Sequence, residues 1–113
     1  MDSASKPLKY ISKEMALNWK INNKINMYAA KLLLNVAKFL GKNDNNSTHY
    51  KERIASHFPY EDEFSYEEIE KEHIRNEIHD ALQKVFINMD ISIKCKEEER
   101  GVKNWYVIID WTL

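Results

Sequence analysis

Residues 12–41 read SKEMALNWKINNKINMYAAKLLLNVAKFLG, and the reading of this stretch decides the fold. Ser12 carries the side-chain oxygen of an N-cap, and Gly41 suits the C′ position just past a helix end. Between them, Lys13, Lys20, Lys24, Lys31, Lys38 and Lys42 follow one another by 7, 4, 7, 7 and 4 residues. At about 100° per residue all six fall within about ±20° of one line. A looped or broken segment has no reason to hold that phase, so the spacing predicts a single helix from Ser12 to about Leu40. Its C-terminal half is otherwise apolar, with Ile25, Tyr28, Ala29, Leu32, Leu33, Val36, Phe39 and Leu40. The expectation is a helix buried over most of its girth that exposes one Lys stripe. Asn22 and Asn23 lower helix propensity and mark where a bend would fall.

GKNDNNSTH (41–49) reads as a loop, and YKERIASHF (50–58) as a short helix capped by Ser47 or Thr48 and stopped by Pro59. The clearest local signal follows. Ser65 and Glu68 have the S-x-x-E spacing of a capping box, and Phe64 and Ile69 occupy the N′ and N4 positions of a hydrophobic staple. Ile74, Ile78, Ala81, Leu82, Val85 and Met89 continue an apolar face. Together they predict a helix from Ser65 to about residue 88.

The C-terminal end changes period. DISIKCKEE (90–98) alternates, with Ile91, Ile93 and Cys95 on one face. EERGVKN contains one of the two glycines and reads as a turn. NWYVIIDWTL is rich in β-branched and aromatic residues, with Trp105, Val107, Ile109 and Trp111 on one side. A hairpin that is apolar on both faces is not stable alone. It must pack on the helices, and its outer edge, through Trp105, Val107, Ile109 and Trp111, is a candidate for pairing with a second copy.

The expected class is therefore α+β. It comprises a long N-terminal helix, a short helix, a second long helix and a C-terminal antiparallel β-hairpin packed on the helices. Residues 1–11 form a flexible N-terminal arm and residues 12–113 a single domain. This order resembles a winged helix in topology. Its third helix, which would enter the major groove, begins in the densest acidic run of the chain and would repel phosphate.

A chain of 113 residues has room for one modest core. With 43% hydrophobic and 31% charged residues, it reads as globular rather than disordered. No apolar run is long enough to span a membrane, and the N-terminal residues lack an apolar leader, so a cytoplasmic setting is expected. One cysteine excludes an internal disulfide, and two glycines leave nothing to build a phosphate-cradling loop. Lys outnumbers Arg by 14 to 3, and Asn and Ile are abundant. Residue usage of this kind suits an AT-rich genome, and with the small size it suits an accessory protein of a phage or mobile element.

The net charge of −1 conceals a marked asymmetry. Residues 1–58 carry ten Lys/Arg against four Asp/Glu, and residues 59–80 carry two against nine. Blocks of opposite sign can steer partners. Glu67, Glu68 and Glu70 suit the first turn of a capped helix. Helix capping does not explain Glu61, Asp62 and Glu63 before it, or Glu72, Glu77 and Asp80 beyond it. Glu61, Asp62, Glu63, Glu67, Glu70, Glu72, Glu77 and Asp80 are accordingly the candidate surface for a protein partner with a basic face. The alternative is nucleic acid bound along Lys13, Lys20, Lys24, Lys31, Lys38 and Lys42, although base readout usually uses Arg, Asn or Gln in a groove-entering element. Glu70-x-x-His73 is half of a di-iron helix motif whose second half is missing, so no metal site and no cofactor are expected. Glu70, Glu72, His73 and His79 would supply acid/base groups only inside a pocket. No catalytic residues are assigned. The favoured expectation is a small non-enzymatic regulator or inhibitor that binds another protein through its acidic surface.

Overall fold

The structure, a computed structural model, describes residues 12–42, 47–56, 59, 63–98, 101 and 103–112. The expected arm at 1–11, and with it Glu61 and Asp62, lies outside the described residues. The chain runs through α1 (Lys13–Lys42), β1 (His49–Arg53), β2 (Ala55–Ser56), β3 (Phe64–Ser65), α2 (Tyr66–Ile69), α3 (Glu72–Val85), β4 (Asp90–Glu97) and β5 (Lys103–Asp110). The class is α+β, with a three-stranded antiparallel sheet in the order β1-β5-β4 and helices packed against it.

α1 forms where the lysine phase places it. The Met15 N–H donates to Ser12 Oγ at 3.1 Å, and the Ala16 N–H donates to the Ser12 carbonyl at 3.0 Å, so Ser12 caps the helix. The helix continues through Asn22 and Asn23 without a break and runs past Gly41 to Lys42. Its burial differs from the expectation. Ile25, Tyr28, Ala29, Leu32 and Val36 form one buried stripe, while Leu33, Leu34 and Leu40 are exposed and every residue from 12 to 20 faces solvent. A small sheet and one 14-residue helix, α3, can cover one side of a 30-residue rod and no more.

Residues 49–53 correct the sequence reading. They form strand β1, not the first turn of a short helix. Tyr50 and Glu52 turn inward and His49, Lys51 and Arg53 outward, and the strand pairs with β5 from His49↔Asp110 to Arg53↔Tyr106. The outer edge of β5 offers a row of backbone N–H and C=O groups, and pairing them outweighs a weak local helix preference. This also corrects the proposed dimer edge. β5 is the central strand; Val107 and Ile109 are fully buried, and Trp105 and Trp111 pack half-buried against the core. None of the four is on a free edge, and because β1, β2 and β3 stand between α1 and α2 the order is not simply three helices followed by two strands.

The helix expected over 65–88 is two helices. The capping box is present: the Glu68 N–H donates to Ser65 Oγ at 3.1 Å, and the Ser65 N–H donates to Glu68 Oε1 at 2.9 Å. The chain then breaks at Lys71, which is extended at φ −78° and ψ 120°. The break has a packing reason. In one continuous helix Ile69 and Ile74 would differ by about 140° around the axis. With the break, Ile69 is fully buried along with Ile74, Ile78 and Leu82. Carbonyls left over at the junction are satisfied by Arg75, whose Nη1 donates to the Ile69 and Glu70 oxygens at 2.9 and 2.8 Å while its guanidinium lies 4.7 Å from the Trp105 ring centroid. α3 ends at Val85, and Asn88 takes a left-handed φ of 62° before β4. The second turn uses Gly101 at φ 73°, where a side chain would be strained.

Phe64, Leu32, Ile69, Ile78, Leu82, Ile109 and Val107 make the most deeply buried part of the core. Beside it, Glu52 accepts hydrogen bonds from Tyr28 Oη at 2.9 Å, Tyr50 Oη at 2.8 Å and Asn35 Nδ2 at 3.2 Å, which ties β1 to α1. Burial, reinforced by the Glu52 carboxylate, raises the Tyr28 phenol far above its ordinary value and pushes Tyr50 up to about 12. Both tyrosines therefore stay neutral donors, and every acceptor–donor pair in the cluster serves the fold.

Candidate interaction surfaces

The acidic segment divides by the elements that carry it. Glu63 is half-buried at the entry to β3. Glu67 lies on α2, Glu70 at the junction, and Glu72, Glu77 and Asp80 on α3; all five are exposed. Among the described residues, Glu67, Glu70, Glu72 and Glu77 make no ion pair, and Asp80 comes within 3.7 Å of His79 Nδ1. The acid that the fold does use is Glu68. Its two carboxylate oxygens lie 3.0 and 3.1 Å from Lys24 Nζ. Burial alone would raise the Glu68 pKa; the Ser65 N–H and the Lys24 ammonium outweigh it and bring the pKa below the ordinary carboxylate value.

The same pair changes the Lys stripe. Lys24 is only 12% exposed, and its ammonium sits 5.7 Å from the Phe64 ring centroid. It is a structural cation and is withdrawn from any surface role. Lys13, Lys20, Lys31, Lys38 and Lys42 remain exposed along the line that the spacing defined.

A groove runs between α1 and α3. One part, of ≈ 190 Å³, is lined by Asn18, Ile21, Asn22, His73, Ile74 and Glu77. The next part, of ≈ 360 Å³, passes Asn22 and Asn26 toward Glu77, Asp80 and Lys84. His73 lines the first part beside Glu77, but Glu70, Glu72 and His79 do not, so this part of the groove does not bring the four acid/base candidates together. Among the described residues there is no cluster of three or more His, Cys, Asp or Glu side chains placed to hold a metal. Cys95 is exposed and free. Among the described residues no helix is long and apolar enough to cross a membrane.

The outward face of the sheet carries a cationic group that the sequence reading did not identify. Arg53, Tyr106 and Lys94 are direct partners across β1, β5 and β4, so they stand on one face. Lys51 Nζ lies 4.3 Å from the Tyr106 ring centroid, and Lys96 follows two residues beyond Lys94 on the same face. The Tyr106 hydroxyl donates to Glu98, a bond that holds the carboxyl below its usual value and the phenol above its own. The available signal was the alternation of His49, Lys51 and Arg53, which is lost once the segment is read as a helix.

Exposed carboxylates thus recur along α2 and α3, and exposed cations along α1 and on the sheet, where Asp90 and Glu97 are exposed as well. No family model, curated protein or solved structure matches the chain.

Proposed function

We propose that the protein is a non-enzymatic binding module. It regulates or inhibits a protein partner by presenting the carboxylates of Glu67, Glu70, Glu72, Glu77 and Asp80 to a basic surface. The observation that carries this reading is the state of these groups. Five acids stay exposed along one segment, while of its two basic residues Arg75 is folded back onto the helix junction and Trp105, which leaves only Lys71 exposed among them. Exposed charge of one sign speeds encounter and selects partners more than it adds affinity. A partner that ordinarily holds a polyanion in a basic groove fits this chemistry.

Replacing the five acids by lysine is expected to abolish capture of the partner from source-cell lysate. It should leave the far-ultraviolet circular dichroism unchanged, because none of the five is buried. Capture by wild type should weaken as salt is raised. The same partner recovered at equal yield by the five-fold variant would refute the acidic surface.

A second reading is favoured by the cationic sheet face. Arg53 and Lys94 flank Tyr106 on neighbouring strands, an arrangement suited to single-stranded nucleic acid, where cations follow phosphates and a ring stacks on a base. On this reading a fluorescent oligonucleotide binds at about 50 mM salt, binding falls log-linearly with salt, and Arg53→Glu with Lys94→Glu removes it. No anisotropy change at that salt would exclude it.

A further inference from the structure

The side of α1 turned away from the core is built unlike a solvated helix face. Thirteen of its residues lie within an arc of about 140°, and none of the thirteen is charged. All thirteen are exposed. The large ones are Met15 (56%), Trp19 (70%), Met27 (52%), Leu33 (47%), Leu34 (54%) and Leu40 (36%). A helix that meets only water there carries charged and polar residues on its outer face. This helix has six lysines and keeps all of them on a different line. Within the arc, Ala16, Asn23, Ala30 and Ala37 recur every seven residues. Trp19, Asn26, Leu33 and Leu40 do the same three positions later. Alternate steps of three and four are the seam spacing of a coiled coil, sustained here for almost the whole helix.

We infer that α1 pairs with α1 of a second copy of this chain, antiparallel, about a two-fold axis near Ala30. The pattern complements itself in that direction. Trp19 of one copy comes over the small Ala37 and Gly41 of the other, and Ala30 meets its own counterpart, so backbones approach closely at the centre. A parallel pair would instead set Trp19 on Trp19 and Asn23 on Asn23. The surface is large enough. Met15 reaches past Lys42 of the other helix in this register; the other five side chains, about half exposed on average, at roughly 200 Å² each when free, leave about 500 Å² per copy, and a pair covers about 1,000 Å², the area expected of a specific interface. The charge layout agrees as well. The seam has no ionised group to desolvate, and the exposed Lys13, Lys20, Lys31, Lys38 and Lys42 lie about 110° away around the helix, where they stay in water. A charged partner would find nothing on this arc to pair with, whereas a second identical arc loses nothing by covering it. Contiguous apolar surface of this extent is the kind that marks an interaction site.

The test reads oligomeric state with no partner present, so it is independent of the acidic-surface reading. The full chain in sedimentation velocity at about 5–100 µM should show a species of twice 13.5 kDa. Ala30→Glu places a carboxylate in water in one copy and two facing carboxylates on the axis of the pair. It should keep the circular dichroism spectrum and raise the dimer dissociation constant at least ~100-fold. With the exposed Cys95 changed to Ser, Ala30→Cys should oxidise to an interchain disulfide, because residues on the axis come within Cα reach of one another. A wild-type chain that stays monomeric at about 100 µM overturns the inference. So does an Ala30→Glu chain that stays dimeric, since the contact would then lie on another face.

Discussion

Phe64→Ala is expected to destabilise the protein by about 3–5 kcal/mol, the largest effect of any single side-chain truncation outside the helices. Phe64 is fully buried, and three separate elements converge on it. Its ring meets Tyr28 of α1 edge-on at 5.6 Å between centroids, its backbone pairs with Ala55 of β2, and it occupies the N′ position of the staple whose N4 residue, Ile69, is also fully buried. Removing the ring leaves a cavity that none of the three elements can fill without giving up its other contacts. Small domains are stable by only about 5–15 kcal/mol, so the midpoint of thermal unfolding should fall by roughly 10–20 °C. Circular dichroism melts of the two proteins check this. A shift of under about 3 °C would mean that the β2–β3 bridge and the staple do not anchor the core.

Glu68→Ala is expected to cost about 2–4 kcal/mol. One part is the capping box, since the Ser65 N–H loses its acceptor. The other part is Lys24, left 12% exposed with no carboxylate beside it. A largely buried cation without its partner costs more than the pair contributes. The double variant Lys24→Met with Glu68→Gln should therefore recover much of the loss. Chemical denaturation of wild type, Lys24→Met, Glu68→Gln and the double variant closes a cycle that isolates the ion pair. If the losses of Lys24→Met and Glu68→Gln simply add in the double variant, the ion pair contributes nothing. The pH dependence has a definite sign. The folded Glu68 pKa lies below its unfolded value. Its contribution is therefore present in full above the unfolded pKa and is lost as pH falls through the folded one. Acid unfolding of wild type should show this loss, and Glu68→Gln should not.

Glu68 also illustrates how far a sequence can be read. Its local role was legible, because Ser65 and Glu68 stand three residues apart and the capping box needs nothing else. Its long-range role was not, because Lys24 lies 44 positions away and sits in perfect phase with five solvated lysines. Periodicity identifies a face; it cannot tell which member of the face meets an acid on another element. The candidate surfaces divide in the same way. Exposure of Glu67, Glu70, Glu72, Glu77 and Asp80 follows from carboxylates on the outward side of short amphipathic helices. The cationic group around Tyr106 needed strand pairing between residues more than 40 positions apart.

By itself, the sequence determined those elements whose signals are local: α1 from the phase of its lysines and the Ser12 cap, the start of α2 from its capping box, and β4 and β5 from two-residue alternation with a glycine turn between them. Tertiary structure alone decided the rest. His49–Arg53 is a strand because β5 has an edge to pair, and residues 65–88 are broken because Ile69 and Ile74 must both reach one core. Among the described residues α1 is covered on one side only, because the three-stranded sheet and the 14-residue α3 are too small to wrap a 30-residue helix. Local propensities differ by a few tenths of a kcal/mol per residue, whereas a paired strand edge or a buried isoleucine is worth about 1–3 kcal/mol. Wherever the two compete, the long-range term sets the outcome.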